Sequence, residues 1–587
     1  MGCSSRVPIG TGDGSGGASG GVASAGGQVS FGGSTVSAGG SDVGGGGSLL
    51  ETSSKLDLLF VIDNSFGMEH KLPRFRQAAL SFLQRLIEPR CVGPAASVDV
   101  PVGMPCPSGT TRERSPVRDL HVGVITTNLG AHGGQTCGES DDKAHLIATV
   151  RSGIESYSGL GFAKWDPAQT ASPPGLSSSS AFVLQVSNML DGVGIGGCGY
   201  EASLESWYRF LVDPSPPERV IQQGEPTGLD TDLLAQRAAF LRPDSAVSIV
   251  VVSDENDCSI RDGDEGWLVT TQAFNSNPFR MPKATSACQT DPNDRCCMSC
   301  AINPDLVPDG CSLPSDDVAC RTGGPTHSGL EDSLNLRCWD QKRRFGVDLL
   351  YPTTRYVGAL TQPTVFDRAL NPAPNPLFTS GANGTRGPKL INLTTLVGVP
   401  WQDLSVSPTG TLTFQNAEQL ALNGRWNVVV GEGETPADPF MRESVAERDG
   451  ANPITGDLVL PSTEVDPLGN AINGHELAFP NQDDLQNACT FALQTPVVCG
   501  EGSATCACSS ARDYSALCQA SASDPPGSTQ YRTGAKPGLR QLRVQSQIGS
   551  SAVVGTICVD DAATLPSESG YAPSFEALAA KMRQMLP

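Results

Sequence analysis

Three apolar stretches alternate with amphipathic segments in the first half of the chain. Each stretch ends in polar residues: Lys55–Ile62, then 120–128 (LHVGVITTN) and 247–257 (VSIVVVSDEND). They are too continuously apolar for strands with one solvated face and are typical of buried parallel strands. Between 69 and 87, apolar residues recur at helical spacing, which predicts a covering helix.

The same alternation continues to the C-terminus. Helices are predicted at Phe182–Leu190, Glu201–Leu211 and Ser574–Leu586. The late segments 539–547 (LRQLRVQSQ) and 552–559 (AVVGTICV) are predicted as strands of the first sheet, because they have no other parallel partners. Strands that alternate with helices favour a right-handed parallel sheet covered on both faces. The predicted fold class is α/β, a doubly wound, mostly parallel sheet.

Composition divides the chain into four segments. Residues 1–54 are rich in Gly and Ser and are predicted to be a flexible tether. Residues 55–258 carry the first part of the α/β domain, and 536–587 carry its closing elements. The intervening segment, 259–535, is rich in Pro, Asn, Asp and Cys and is predicted to be a loop-rich, disulfide-rich insertion.

The charge balance excludes one class of partner. The chain has 40 Lys and Arg residues against 62 Asp and Glu, a formal net charge of -22. Such a surface repels phosphate backbones and anionic lipid headgroups, so nucleic acid is not expected as a partner. No apolar stretch in the sequence approaches the roughly 20 residues needed to span a bilayer.

The cysteine content indicates an oxidising compartment. The chain has 19 cysteines, mostly in loop-like surroundings where a disulfide can reach its partner. A bridge such as Cys91–Cys106 would contribute roughly 3 kcal/mol through loop entropy. Cys297 and Cys300 have the spacing of half a zinc site, but no second Cys-x-x-Cys is present in the sequence, so disulfides are favoured. The sequence does not give the full connectivity.

The N-terminal sequence MGCSS is similar to the cleavage junction of a bacterial lipoprotein, with Cys3 as the acylated residue. Setting Cys3 aside leaves an even number of cysteines for pairing. The expectation is a protein of the cell envelope or extracellular space, anchored to the outer membrane through lipid. The alternative is a disordered tail without an anchor.

The ends of the predicted strands carry candidate ligands for a metal. Asp63 and Ser65 follow the first strand, and Asp254 follows the third. In an open parallel sheet, ligands bind outside the carboxyl ends of the strands. Carboxylate and hydroxyl oxygens suit a hard cation, Mg²⁺ or Ca²⁺. Two alternatives stay open: Asp63 caps the following turn and helix, or the acidic run after Asp254 forms a Ca²⁺ site of its own or a solvated loop.

These loops resemble those of a known family. FVIDNSFGM (60–68) resembles the first metal-site loop of a von Willebrand factor A domain, Asp-x-Ser-x-Ser, and VVVSDEND (250–257) resembles the loop that supplies the later aspartate. The resemblance covers 55–258 and about 536–587. It implies a metal-ion-dependent adhesion site, in which Mg²⁺ keeps one coordination position free for a carboxylate of a protein partner.

Two positions depart from the family pattern. The second serine falls on Gly67, so Gly67→Ser is expected to tighten metal binding by restoring a ligand. The family's threonine falls on Cys198, whose sulfur is a poor ligand for a hard cation. Cys198 is instead expected in a disulfide, with Cys137 as the candidate partner. Thr126 or Thr127 is expected to take the threonine's place, and Thr127 joins Asp63, Ser65 and Asp254 in the predicted metal site.

The expected function is that of a surface-tethered binding or adhesion protein, which recognises a protein or matrix partner through a degenerate metal site. It is not expected to be an enzyme, because none of the six histidines lies in a His-Glu-x-x-His or Gly-x-Ser-x-Gly context. One alternative is a secreted hydrolase with its site in the insertion, which a cleft joining a histidine with a carboxylate would favour. Another is a purely structural envelope protein.

Overall fold

The structure is a computed structural model. It describes residues 49–94, 96–138, 140–274, 276–381, 384–406, 412–431, 433, 435–500, 506–508, 515–520, 527–558 and 571–587. Cys3 and most of the predicted tether lie outside the described residues. Of the helices in this part of the chain, none has the length and apolar character needed to cross a bilayer.

A six-stranded sheet forms the centre of the fold. Its strands are β1 (Lys55–Ile62), β2 (Asp119–Thr126), β3 (Ala163–Trp165), β4 (Ala246–Val252), β5 (Ile391–Val397) and β6 (Ala552–Thr556). Their order is β6-β5-β4-β1-β2-β3, and every neighbouring pair is parallel except β2 with the short edge strand β3. The prediction of an α/β fold with a mostly parallel sheet is confirmed.

Helices cover both faces of this sheet. The longer ones are α1 (Leu72–Ile87), α2 (Ser179–Asp191), α3 (Ser203–Leu211), α4 (Thr231–Phe240), α5 (Thr353–Thr361), α6 (Leu539–Gln547) and α7 (Ala572–Met585). Because side chains alternate along a strand, Leu58 and Phe60 of β1 belong to one apolar core with residues of α1, α2 and α7. Leu59 and Val61 belong to a second core with residues of α3, α4 and α5.

The late segment 539–547 is a helix, so its prediction as a strand was wrong. Two glutamines explain the error, because they lie on the buried face of the helix and so interrupt the helical spacing of its apolar residues. Gln545 donates to the backbone oxygens of Leu393 at 3.1 Å and Val553 at 2.7 Å. Gln541 donates to Ser203 Oγ at 3.1 Å. The prediction that the following strand joins the first sheet is confirmed by β6.

The predicted insertion contributes a strand to the central sheet. β5 lies between β4 and β6 and is buried along its whole length. Its sequence, INLTTLV, did not suggest a buried strand because it contains polar residues. Asn392 donates to Ser551 O at 3.0 Å, and Thr395 donates to Gln545 Oε1 at 2.7 Å. Segment 259–535 is therefore partly integrated into the α/β core.

Short elements make up much of the remaining structure. The short helices are Ile147–Val150, Ala287–Thr290, Val318–Arg321, Gln341–Phe345, Trp401–Leu404, Ala417–Leu422 and Arg425–Val429. The small sheets comprise Cys91–Gly93 with Ala96–Val98 and Thr111–Arg112, Arg219–Val220 with Pro226–Thr227, Ala273–Phe274 with Asn277–Pro278, Thr364–Phe366 with Pro372–Pro374, Gly384–Arg386 with Leu49–Leu50 and Ser380–Gly381, and Cys489–Val498 with Thr529–Ala535.

Nine disulfides pair every cysteine except Cys3. They are Cys91–Cys106, Cys137–Cys198, Cys258–Cys338, Cys288–Cys297, Cys296–Cys311, Cys300–Cys320, Cys489–Cys558, Cys499–Cys506 and Cys508–Cys518. The predicted pairs Cys91–Cys106 and Cys137–Cys198 are confirmed, and the Cys-x-x-Cys sulfurs form disulfides. This density of disulfides is typical of secreted and extracellular proteins.

Candidate functional site

The loops that follow β1, β2 and β4 meet at one edge of the sheet. Asp63 N donates to Val252 O at 2.9 Å, and Thr127 N donates to Ile62 O at 3.1 Å. These bonds continue the ladders of the parallel strands by one residue. The structure therefore brings together the strand ends that carry Asp63, Thr127 and Asp254.

Asp63 lies fully buried at the centre of this edge. Its Oδ1 accepts from Ser65 N at 2.8 Å, and its Oδ2 accepts from Ser253 Oγ at 2.8 Å. The first bond closes a turn. The side chain does not cap α1, whose N-cap residue is Lys71. The alternative in which Asp63 caps both the turn and the helix is thus correct for the turn and wrong for the helix.

The carboxyl group of Asp63 lies in an unfavourable environment for a negative charge. Burial and, after it, the charge of Asp254 raise the pKa of Asp63 to about 7, while the hydrogen bonds from Ser65 and Ser253 act in the opposite direction. A cation placed against this carboxylate would reverse the effect, because a nearby positive charge favours the ionised form.

Several buried oxygens around Asp63 have no hydrogen-bond partner among the described residues. They are Ser65 Oγ, Thr127 Oγ1, Asp254 Oδ1 and Glu201 Oε1. Thr126 Oγ1, by contrast, donates to Asp142 Oδ2 at 2.7 Å. Of the two threonines considered, Thr127 is therefore the one whose hydroxyl is available. Buried polar atoms are nearly always hydrogen-bonded, so a cluster of unpartnered oxygens indicates a missing ligand or water.

A buried lysine already provides one positive charge. Lys71 Nζ lies 2.6 Å from Asp254 Oδ2 and donates to Gly67 O at 2.8 Å. The lysine side chain is 2% exposed and that of Asp254 is 7% exposed. Sequence reasoning missed Lys71. A signal was present, because a cation at the N-terminus of a helix is unfavourable unless a carboxylate compensates it.

Gly67 has a steric role that the sequence did not reveal. A Cβ added at Gly67 would lie 2.5 Å from Asp254 Oδ2, well inside contact distance. Since Lys71 holds that carboxylate, it cannot move away freely. The prediction that Gly67→Ser tightens metal binding did not take this contact into account, because a side chain at position 67 would displace Asp254.

Two buried glutamates lie next to the strand ends, and their pKa values are raised. Glu201 is 2% exposed, and burial, followed by the charges of Glu255, Asp63 and Asp254, raises its pKa above the usual range. The pKa of Glu255 is raised to about 8, by burial and then by Asp254. The sequence placed Glu201 at the start of a helix and did not mark it as a neighbour of Asp63.

The acidic run after Asp254 does not form a separate Ca²⁺ site. Asp257 Oδ1 accepts from Leu204 N at 2.8 Å, and its Oδ2 accepts from Arg540 Nε at 3.1 Å. Asp262 pairs with Arg209 and with His132 Nδ1, the latter at 2.9 Å. The carboxylates of Asp257 and Asp262 are thus buried and already bonded to other residues of the chain. For these two residues, both alternatives, a Ca²⁺ site and a solvated loop, were wrong.

The disulfide-linked loop before α3 packs on the loop that follows β1. Gly197 N donates to Asn64 O at 2.8 Å, and Ala202 N donates to Thr127 O at 3.0 Å. Between these contacts, Cys198 is bonded to Cys137. The predicted disulfide therefore lies beside the loop that follows β1.

The oxygens at the strand ends, which belong to two aspartates and two hydroxyl groups, are chemically suited to a hard cation. In the described ranges, no three or more His, Cys, Asp or Glu side chains are grouped so as to hold a metal ion. A cation at the strand ends would therefore need Ser65 Oγ, Thr127 Oγ1 and water as ligands in addition to Asp63 and Asp254, and oxygen sites for Mg²⁺ often include water. Comparisons with protein-family models, curated proteins and solved structures found no match.

Proposed function

We propose that the chain is a surface-tethered binding protein of the von Willebrand factor A type, in which Asp63, Ser65, Asp254 and Thr127 hold Mg²⁺ or Ca²⁺. The cation presents a free coordination position to a carboxylate of a protein or matrix partner. The observation that carries this proposal is the cluster of unpartnered buried oxygens around Asp63 at the strand ends.

Electrostatics supports a cation as the link to an acidic partner. The chain has a formal net charge of -22, and the carboxyl groups of Asp63 and Asp254 lie at the strand ends. A bare carboxylate that approached this edge would be repelled. A divalent cation would neutralise Asp63 and Asp254 and attract the incoming carboxylate, so binding should require the metal.

Lys71 would compete with that cation. Its ammonium group bonds Asp254 Oδ2, while Asp254 Oδ1 has no partner among the described residues. A cation that draws Asp254 towards Asp63 would weaken the pair with Lys71. The proposed site is therefore a weak one, in which the lysine stabilises the metal-free form.

The tethering part of the proposal rests on Cys3 and the Gly/Ser-rich segment that follows it. Acylation of Cys3 would anchor the protein to the outer membrane of a bacterium, and the segment would hold the domain away from the lipid surface. The confirmed disulfides agree with an oxidising location outside the cytoplasm.

Isothermal titration with Mg²⁺ and with Ca²⁺, after treatment with a chelator, tests the metal site. The wild type should bind one equivalent, and Asp63→Asn should lose binding because it removes a charge and a ligand. Asp264→Ala is the matched control, since Asp264 is an exposed member of the acidic run. Equal affinity of Asp63→Asn and wild type would refute the site.

A further inference from the structure

A large cleft lies apart from the strand-end oxygens, on the outer side of the loop that follows β2. Its volume is about 1000 Å³, and it is lined by parts of residues 129–143, 219–223 and 267–274. This is the upper end of the range for ligand sites, which favours an extended ligand over a small metabolite.

The walls of the cleft are fixed before any ligand arrives. Gln135 N and Thr136 N both donate to Thr270 O at 3.0 Å. The guanidinium of Arg337, which is fully buried, donates to the backbone oxygens of Leu268 and Val269 at 3.2 Å. A preformed cavity binds its ligand without a large ordering cost.

The lining combines aromatic rings with polar groups. Trp267 and Phe274 are half-buried, with ring centroids 5.5 Å apart. Trp267 packs against Gly224, where an added Cβ would lie 3.0 Å from the indole. Gln222 and Gln223 line the cleft and are exposed, so their amides are open to a ligand.

The cations of the cleft are already engaged. Lys143 Nζ donates to Glu218 O at 3.0 Å, and Arg219 lies 3.7 Å from a carboxylate oxygen of Glu218. Asp141 lies in the same lining and Glu218 lies beside Arg219, so the positive charges of Lys143 and Arg219 are balanced and an anionic ligand meets no net positive charge. A ligand with apolar faces and many hydroxyl groups suits aromatic rings flanked by amides.

His132 adds an acceptor to the wall. Its Nδ1 bonds Asp262 Oδ1 at 2.9 Å, and its Nε2 is buried without a hydrogen-bond partner in the described structure. Its backbone has a φ of 46°, a conformation that is uncommon for residues other than glycine and often found at functional sites. A hydroxyl group of a ligand would satisfy this nitrogen.

We propose that this cleft binds an uncharged oligosaccharide, with Trp267 and Phe274 against the sugar rings and Gln222, Gln223 and His132 hydrogen-bonded to hydroxyls. The cleft joins a histidine with a carboxylate, as the hydrolase alternative requires. Glycoside hydrolysis, however, needs two carboxylates across the scissile bond, and Asp141 is the one carboxylate among the described lining residues. The proposed activity is binding of the saccharide, and cleavage would contradict it.

Titration of the full chain with cellohexaose, chitohexaose and maltohexaose tests the proposal. At least one should bind saturably, and Trp267→Ala should weaken that binding about tenfold, since it removes an aromatic stacking surface. Trp267→Phe should retain most of the affinity. Phe366→Ala is the control, because Phe366 is 57% exposed and lies off the cleft.

Gln222→Trp gives an independent test, because Gln222 is exposed and a bulky ring there would obstruct the cleft without disturbing the core. It should abolish binding and leave the melting temperature unchanged. Binding should also persist in a chelator, which separates this site from the proposed metal site. The proposal is overturned if none of the three saccharides binds, if one is hydrolysed, or if neither Trp267→Ala nor Gln222→Trp weakens binding.

Discussion

Replacing Lys71 by methionine should strengthen cation binding at the strand ends. In the metal-free protein, the ammonium group of Lys71 neutralises Asp254 over a distance of 2.6 Å in a buried environment. A cation that binds Asp254 must offset the loss of this pair. Methionine has a similar length and no charge, so the Lys71→Met protein has no internal competitor.

The size of the effect follows from the burial of the pair. Breaking a buried ion pair by removing one partner costs roughly 3–5 kcal/mol, because the remaining charge is left uncompensated. If the cation recovers about 3 kcal/mol of this by binding Asp254, its affinity should rise roughly 100-fold. In the absence of metal, Lys71→Met should be less stable than the wild type, and saturating metal should restore the loss.

Isothermal titration and thermal denaturation, each with and without Mg²⁺, measure the two effects. Lys71→Arg retains the charge and should bind Mg²⁺ nearly as weakly as the wild type. Lys581→Met is the matched control, since Lys581 is also a buried lysine, 7% exposed, and lies in α7. The reasoning is refuted if Lys71→Met binds Mg²⁺ no more tightly than Lys71→Arg.

Further predictions concern the disulfides, the lipid anchor and pH. Replacing Cys137 and Cys198 by serine removes the disulfide that closes a loop of 61 residues, which should lower the free energy of unfolding by about 4 kcal/mol and weaken metal binding. Chemical denaturation measures the first effect and titration the second, with Cys499→Ser/Cys506→Ser as the control. The Cys3→Ala protein, expressed with a lipoprotein signal sequence, should leave the detergent phase in a partition assay, and equal partitioning would contradict acylation. Burial, followed by the charge of Asp438, raises the pKa of Asp403, and burial also raises the pKa of Asp438. Both carboxyl groups therefore hold protons in the folded state that they release on unfolding. Stability should therefore fall as pH rises above the usual carboxyl range, and Asp438→Asn should flatten this dependence of the melting temperature on pH.

The sequence predicted those parts of the fold whose polarity matches their burial. β1, β2 and β4 are continuous apolar runs, and their positions agree with the structure within a few residues. β5 and α6 were missed or misassigned because their buried faces include Asn392, Gln541 and Gln545. Their amide nitrogens donate hydrogen bonds to acceptors in distant parts of the chain, and these partners are not visible in the local sequence.

The candidate site was predicted in part for a similar reason. Asp63 and Asp254 follow apolar strands, so their placement at one edge of the sheet could be inferred from the strand pattern. The pairing of Lys71 with Asp254 joins positions separated by 183 residues. The proximity of Glu201 and the steric role of Gly67 also depend on how the loops pack, which a local pattern does not encode.

A crystal structure of the protein soaked in Mn²⁺ would show directly whether the strand ends hold a cation, because Mn²⁺ prefers the same oxygen ligands as Mg²⁺ and scatters anomalously. The account predicts an anomalous peak at the strand ends, about 2 Å from Ser65 Oγ and Asp254 Oδ1, with Thr127 Oγ1 in its coordination sphere and Lys71 withdrawn from Asp254. The account is contradicted if the Lys71–Asp254 pair stays intact and no peak lies near Asp63 at a Mn²⁺ concentration that saturates binding in solution.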